Sequence, residues 1–190
     1  MALKFEDVAA DDWFYRYVVA GIRFGLIEVA SEENPYFEPD RYVTQGEFIA
    51  MLRRLHEYGH GVIGVPEEGG VYERYIDWAL EIGIVHMYEY WDFMQDELMT
   101  REQMAVIIYK YSGALNLHGR LRGERITIWN RFFDNSEISD WARTPVRRHY
   151  YLYMFSNFAE TPGYFMPHNV VCVTETLRVL TSVAGALYEW

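Results

Sequence analysis

Apolar positions recur at helical spacing in three stretches of this chain, Trp13 to Leu55, Tyr72 to Leu115 and Phe133 to Leu187. Each stretch holds two periodic runs around a turn-rich loop. In the first, Trp13, Tyr17, Val18, Ile22 and Phe24 supply the apolar positions of a helix that Asp11 or Asp12 can cap and Gly25 can end. The following loop, Glu28 to Tyr42, carries the turn pairs Asn34-Pro35 and Pro39-Asp40. Thr44 then opens a second run, with Glu47 placed to complete a capping box. Phe48, Ile49, Met51, Leu52 and Leu55 form its buried stripe, and Gly59 ends it. The second stretch repeats the scheme: Tyr75 and Gly83 stand where the first has Tyr17 and Gly25, Thr100 is the cap, and Gln103 is the box partner. Met104, Ile107, Ile108 and Tyr111 face inward there. In the third, Asp140 can cap a helix from Trp141 to about Phe158, with Pro145 tolerated in its first turn. Phe133, Trp141, Phe165, Pro167 and Val173-Thr174 align with Phe5, Trp13, Phe37, Pro39 and Val43-Thr44. On that alignment Thr174 caps the last helix, and Leu177 stands where the box glutamate would be.

A period of this kind decides architecture before any single residue does. Each unit is too small to bury a core alone, so the copies must pack on one another. The expectation is one all-α domain over residues 1–190, made of three helix–loop–helix units at about 5–58, 71–115 and 132–188. Two linkers, Gly59 to Gly70 and Gly113 to about Asn130, separate them. The second holds Arg120, Arg122 and Arg125, with Arg131 just beyond, and reads as a solvated connector.

Composition narrows the function classes. A net charge of -11 argues against nucleic acid and anionic membranes, which both need a basic footprint. The pattern offers no membrane span and no signal peptide, so the chain is expected to be cytoplasmic or a segment of a longer exported protein. Cys172 is the single cysteine and lies in the apolar run Val170 to Val173, which reads as buried and inert. No nucleophile elbow or phosphate loop appears, and no cofactor is expected.

One catalytic motif does occur. His56-Glu57-Tyr58-Gly59-His60 matches H-E-x-x-H, in which two histidines on one helical face bind zinc and the glutamate serves as base. Its context is wrong, because the helix is expected to stop near Gly59, taking His60 off the shared face. The expectation is a polar helix end without zinc, the metalloprotease being the remote alternative.

The repeat resembles the S-layer homology domain, a triple repeat of bacterial surface proteins. The first unit carries the family's pattern as Phe5-Glu6-Asp7-Val8, Trp13, Gly25-Leu26-Ile27, Phe37-Glu38-Pro39 and Val43-Thr44-Gln45-Gly46-Glu47. The second and third units are degenerate. The resemblance implies a pseudo-threefold helical spindle whose inter-unit clefts bind secondary cell wall polysaccharide, often bearing a pyruvyl ketal. It implies a non-catalytic anchor at the bacterial cell surface, with a surface protein as a possible further partner. The family's motif arginine contacts the anionic sugar. Here Arg101, after Thr100, takes that position, with Gln45 in the first unit and Glu175 in the third.

Physical chemistry agrees with that assignment. A guanidinium forks onto a carboxylate, and a helix start favours an anion. Tyr90 and Trp91, in the loop before Thr100, offer flat faces for sugar stacking. Arg101 is therefore expected to line an inter-unit groove with its guanidinium partly exposed. Glu175 is expected to repel an anionic sugar in the third cleft. The alternative is a repeat kept as a protein–protein or self-assembly module that binds no glycan.

Overall fold

The computed structural model describes residues 5–59, 72–85, 93–115, 132–149 and 163–188. Among these the chain is all-helical, with α1 Tyr15–Arg23, α2 Gln45–Gly59, α3 Tyr72–Glu81, α4 Arg101–Ala114, α5 Arg143–His149 and α6 Val173–Tyr188. None of the described helices is long and apolar enough to cross a membrane. The two expected linkers, and the expected continuation of α5 to Phe158, lie largely outside the described residues.

Local chemistry sets the starts of α2 and α4. Thr44 Oγ1 accepts from the Glu47 N–H at 3.2 Å while Glu47 Oε2 accepts from the Thr44 N–H at 3.0 Å. Thr100 and Gln103 make the same reciprocal pair at 3.4 and 2.9 Å. Each box satisfies backbone donors that a helix start would otherwise strand. The expected stripes are buried: Phe48, Ile49, Leu52 and Leu55 on α2, and Met104, Ile107, Ile108 and Tyr111 on α4. Gly25 and Gly83 take positive φ, +68° and +73°, just after the first helix of their units.

Two expected starts move. α1 opens after Phe14 without a side-chain cap. Asp12 is spent one turn earlier, accepting from the Ala9 N–H at 2.7 Å. α5 opens at Arg143, and Asp140 pairs with the Arg143 guanidinium at 2.7 Å.

The segments entering α2, α4 and α6 meet in a closed ring of backbone hydrogen bonds. Val43 N–H donates to Val171 C=O at 3.0 Å, Val171 to Met99 at 2.9 Å, and Met99 back to Val43 at 2.9 Å. A second layer repeats the pattern: Gln45 donates to Glu97, Arg101 to Asn169 and Val173 to Arg41. The helix pairs run the same way round, α1 packing on α6, α3 on α2 and α5 on α4. Gly21 on α1 marks one such approach, since a Cβ there would meet Leu177 Cδ2 at 2.9 Å.

These equivalences correct the third unit's alignment. Val171 takes the place of Val43 and Met99, so Cys172 stands at the capping position of Thr44 and Thr100. Glu175 is the box residue, its Oε2 accepting from the Cys172 N–H at 3.3 Å. Thr174 is not a cap, and its hydroxyl instead donates to the Pro39 carbonyl at 3.1 Å. The entry of the unit shifts too. Phe132 packs on Phe165 as Phe5 packs on Phe37, at ring separations of 5.4 and 5.7 Å, while Phe133 is exposed. Asp134 then matches Asp7: each carboxylate accepts from two successive loop N–H groups, Phe165 and Met166 for Asp134, Phe37 and Glu38 for Asp7. The clamps hold Met166 and Glu38 at φ of 54° and 57°, a left-handed conformation that side chains ordinarily avoid.

Candidate functional site

The residue following each cap reaches across to the next unit. In the corrected register these residues are Gln45, Arg101 and Val173, and each donates its N–H to the loop of a neighbouring unit. Their side chains make three different environments.

Arg101 is 2% exposed, contrary to the expected half-open guanidinium. Its Cζ lies over the Phe165 ring at 5.5 Å. Burial pulls the guanidinium down to about 10, partly opposed by the carboxylates of Glu175 and Asp134 and assisted by the cation of Arg178. Glu175 therefore does not occupy a third motif position repelling a ligand. It closes the box at Cys172 and contributes negative field to Arg101. Beside it, Glu102 is buried and accepts from the Ser139 N–H and hydroxyl at 3.1 and 3.0 Å, tying α4 to the start of the third unit.

Gln45 is 3% exposed, and its Oε1 accepts from the Met94 N–H at 3.3 Å. Thr100 serves as the cap of α4 and holds the Arg101 backbone in place. Tyr90 and Trp91 lie outside the described residues. So does His60 of the H-E-x-x-H pentapeptide. α2 ends at Gly59, as expected. His56 Nδ1 lies 3.2 Å from the Tyr111 hydroxyl, with the ring 5.3 Å from Trp78, and Glu57 is paired to Arg53 at 2.7 Å. No cluster of potential metal ligands occurs among the described residues.

At Val173 the short side chain leaves an open cleft of about 240 Å³. It is lined by residues of the first unit, including Asn34, Tyr36, Arg41, Glu47 and Arg54, with Val173 as the contribution from the third. Arg41 and Glu47 are paired at 2.8 Å. Arg54 is differently placed: Nη1 donates to the Leu26 carbonyl at 3.1 Å, while Nε is buried with no hydrogen-bond acceptor among the described residues. A buried cationic donor of this kind seeks an acceptor. Glu6 raises the Tyr36 hydroxyl above its usual range, first by hydrogen bonding and then by its charge.

The cleft was not anticipated from the sequence, although one signal for its register was available. Phe37 to Thr44, Phe93 to Thr100 and Phe165 to Cys172 are equally spaced, which assigns the third cap to Cys172 and leaves Val173 as the residue after it.

No family model matches the chain. Over 185 residues, 96% of its length, it is 27% identical to an endoglucanase of Bacillus sp. (strain KSM-635), of which it covers 19%. Over 114 residues, 58% of its length, it is 31% identical to an amylopullulanase of Thermoanaerobacterium thermosulfurigenes, of which it covers 6%. The chain thus spans less than a fifth of either protein.

Proposed function

We propose that this chain is a non-catalytic module that holds a protein at the bacterial cell wall by binding secondary wall polysaccharide through an anionic, pyruvylated sugar. Two lines of similarity support a carbohydrate-related role. The first unit resembles an S-layer homology repeat, and the two similar proteins are polysaccharide enzymes by name. The observation that carries the reading is Arg54. Its Nε has no acceptor within the described residues, and the side chain lines the open cleft beside Val173. A ketal carboxylate in the cleft would answer the charge of Arg54, while Asn34 and Tyr36 at the same wall suit sugar hydroxyls. Arg101, buried beneath the corresponding loop, serves the fold in this reading.

Titration with purified pyruvylated wall polysaccharide tests it. Binding should be saturable and should vanish once mild acid has removed the ketals. Arg54→Ala should weaken it by about tenfold to a hundredfold, the scale of losing a hydrogen bond to a charged group. The burial of Arg101 favours a second reading, a repeat retained for protein–protein contact or self-assembly. Absence of saturable binding, with concentration-dependent association of the chain, would establish that reading instead.

A further inference from the structure

The first and third units differ at one matched pair of residues, and the difference makes a surface. Glu6 N–H donates to the Pro35 carbonyl at 2.9 Å, and Phe133 N–H donates to the Gly163 carbonyl at 2.8 Å, so the two positions are equivalent. The next residues along the loop, Tyr36 and Tyr164, are equivalent as well. In the first unit the pair is polar, the Glu6 carboxylate raising the Tyr36 hydroxyl above its usual range. In the third it is aromatic: Phe133 and Tyr164 lie 5.3 Å apart, tilted by 51°, and are 76% and 44% exposed.

We infer that Phe133 and Tyr164 form a stacking platform for a neutral pyranose ring of the same polysaccharide, a subsite separate from the Arg54 cleft. This rests on the carbohydrate reading above. Three observations lead to it. The fold does not require the aromatic pair, because the first unit builds the same loop with Glu6 and Tyr36. The pair is seated rather than loose. Gly163, at φ +95°, leaves room that a Cβ would fill, since one there would lie 2.7 Å from Phe133 Cε2. The neighbouring Asp134 then fixes the loop by its bonds to the Phe165 and Met166 N–H groups at 2.9 and 2.6 Å. A rigid, exposed aromatic pair costs solvation and does not contribute to the core.

Continuity with the open cleft identifies the occupant. Tyr36 lines that cleft, so Tyr164 marks the mouth of the matching place in the third unit, whose floor is taken by Arg101 over Phe165. With the recess filled, what remains is a shallow aromatic surface. The C–H face of a pyranose, weakly positive and apolar, suits the negative face of such rings. The same loop presents the exposed side chains of His168 and Asn169 for hydroxyls.

Phe133→Ala and Tyr164→Ala, measured by titration against ketal-bearing wall polysaccharide, test the platform. Each should weaken binding by roughly fivefold to tenfold, the size of one aromatic stacking contact, with an unchanged melting temperature. Phe133→Tyr should bind like wild type, and Phe133→Glu, which installs the first unit's residue, should bind like Phe133→Ala. If wild type binds and Arg54→Ala weakens binding but both alanine variants at the platform bind fully, the platform is wrong and the cleft stands. If the platform variants weaken binding and Arg54→Ala does not, the cleft reading falls and the platform stands. Loss of self-association in Phe133→Ala, without any change in glycan binding, would assign the pair to contact between copies and overturn the proposal.

Discussion

The clefts at Val173 and at Arg101 occupy equivalent places in the ring of hydrogen bonds yet have opposite characters. One is open, bounded by Arg41, Glu47 and Arg54. The other is filled by a guanidinium lying over Phe165 in the field of Glu175 and Asp134. One backbone scaffold therefore produces a void or a core according to the side chain after the cap. Valine is too short to reach across, whereas arginine spans the gap and brings its charge into protein surroundings. A residue at a ligand-binding motif position is a ligand contact only if its environment leaves the head group accessible.

The largest test of this contrast is Arg101→Ala. Removing this buried side chain empties the space it fills over Phe165, and loss of a large buried side chain typically costs about 2–5 kcal/mol. Denaturant unfolding should show that loss, and an unchanged midpoint would mean the guanidinium is not integral to the core. The pH dependence follows from the direction of the shift. The folded state holds the Arg101 proton less tightly than the unfolded state does, so its charge opposes folding at neutral pH and that opposition eases as pH rises above about 10. Subtracting the variant's stability curve from that of wild type should expose this slope.

Much of the fold was legible because its signals are local. The boxes at Thr44 and Thr100, the apolar stripes of α2 and α4 and the glycine ends depend on residues within a few positions of one another. The third unit misled because matching threonine to threonine favoured Thr174, two positions late. A cysteine at a cap is an unusual choice, and only the constant spacing from Phe165 gives it away. The site was less legible. Burial of Arg101 depends on Phe165 and Glu175, which are distant in sequence, and the cleft at Arg54 forms where the first unit's loop meets Val173. Periodicity within a unit carries no information about contacts of that range.

A smaller effect should come from making the open cleft resemble the filled one. In Val173→Arg the new side chain has Phe37 and Glu47 where Arg101 has Phe165 and Glu175, so it should settle into the cleft rather than line it. Polysaccharide binding should fall by about tenfold, or 1.4 kcal/mol, with stability little changed. Tighter binding by this variant would show that a guanidinium here remains available to ligand, and the contrast between the two clefts would be one of charge alone.

The smallest expected effect concerns the caps that hold both clefts in register. Cys172 occupies the position of Thr44 and Thr100 but offers a sulfur, a weak acceptor, where they offer a hydroxyl oxygen. Its thiol lies 3.0 Å from the Thr174 hydroxyl, and burial pushes its pKa up, so the thiolate is disfavoured in the folded protein. Cys172→Thr should let Oγ1 accept from the Glu175 N–H as in the other two boxes, raising stability by about 0.5–1 kcal/mol. Wild-type Cys172 should meanwhile react slowly with a thiol reagent near neutral pH and rapidly on unfolding. A destabilised Cys172→Thr protein would mean that the sulfur's packing outweighs the missing hydrogen bond. The third unit's cap would then be held by its neighbours, through the Val171 ring and the Thr174–Pro39 bond, rather than by its own box.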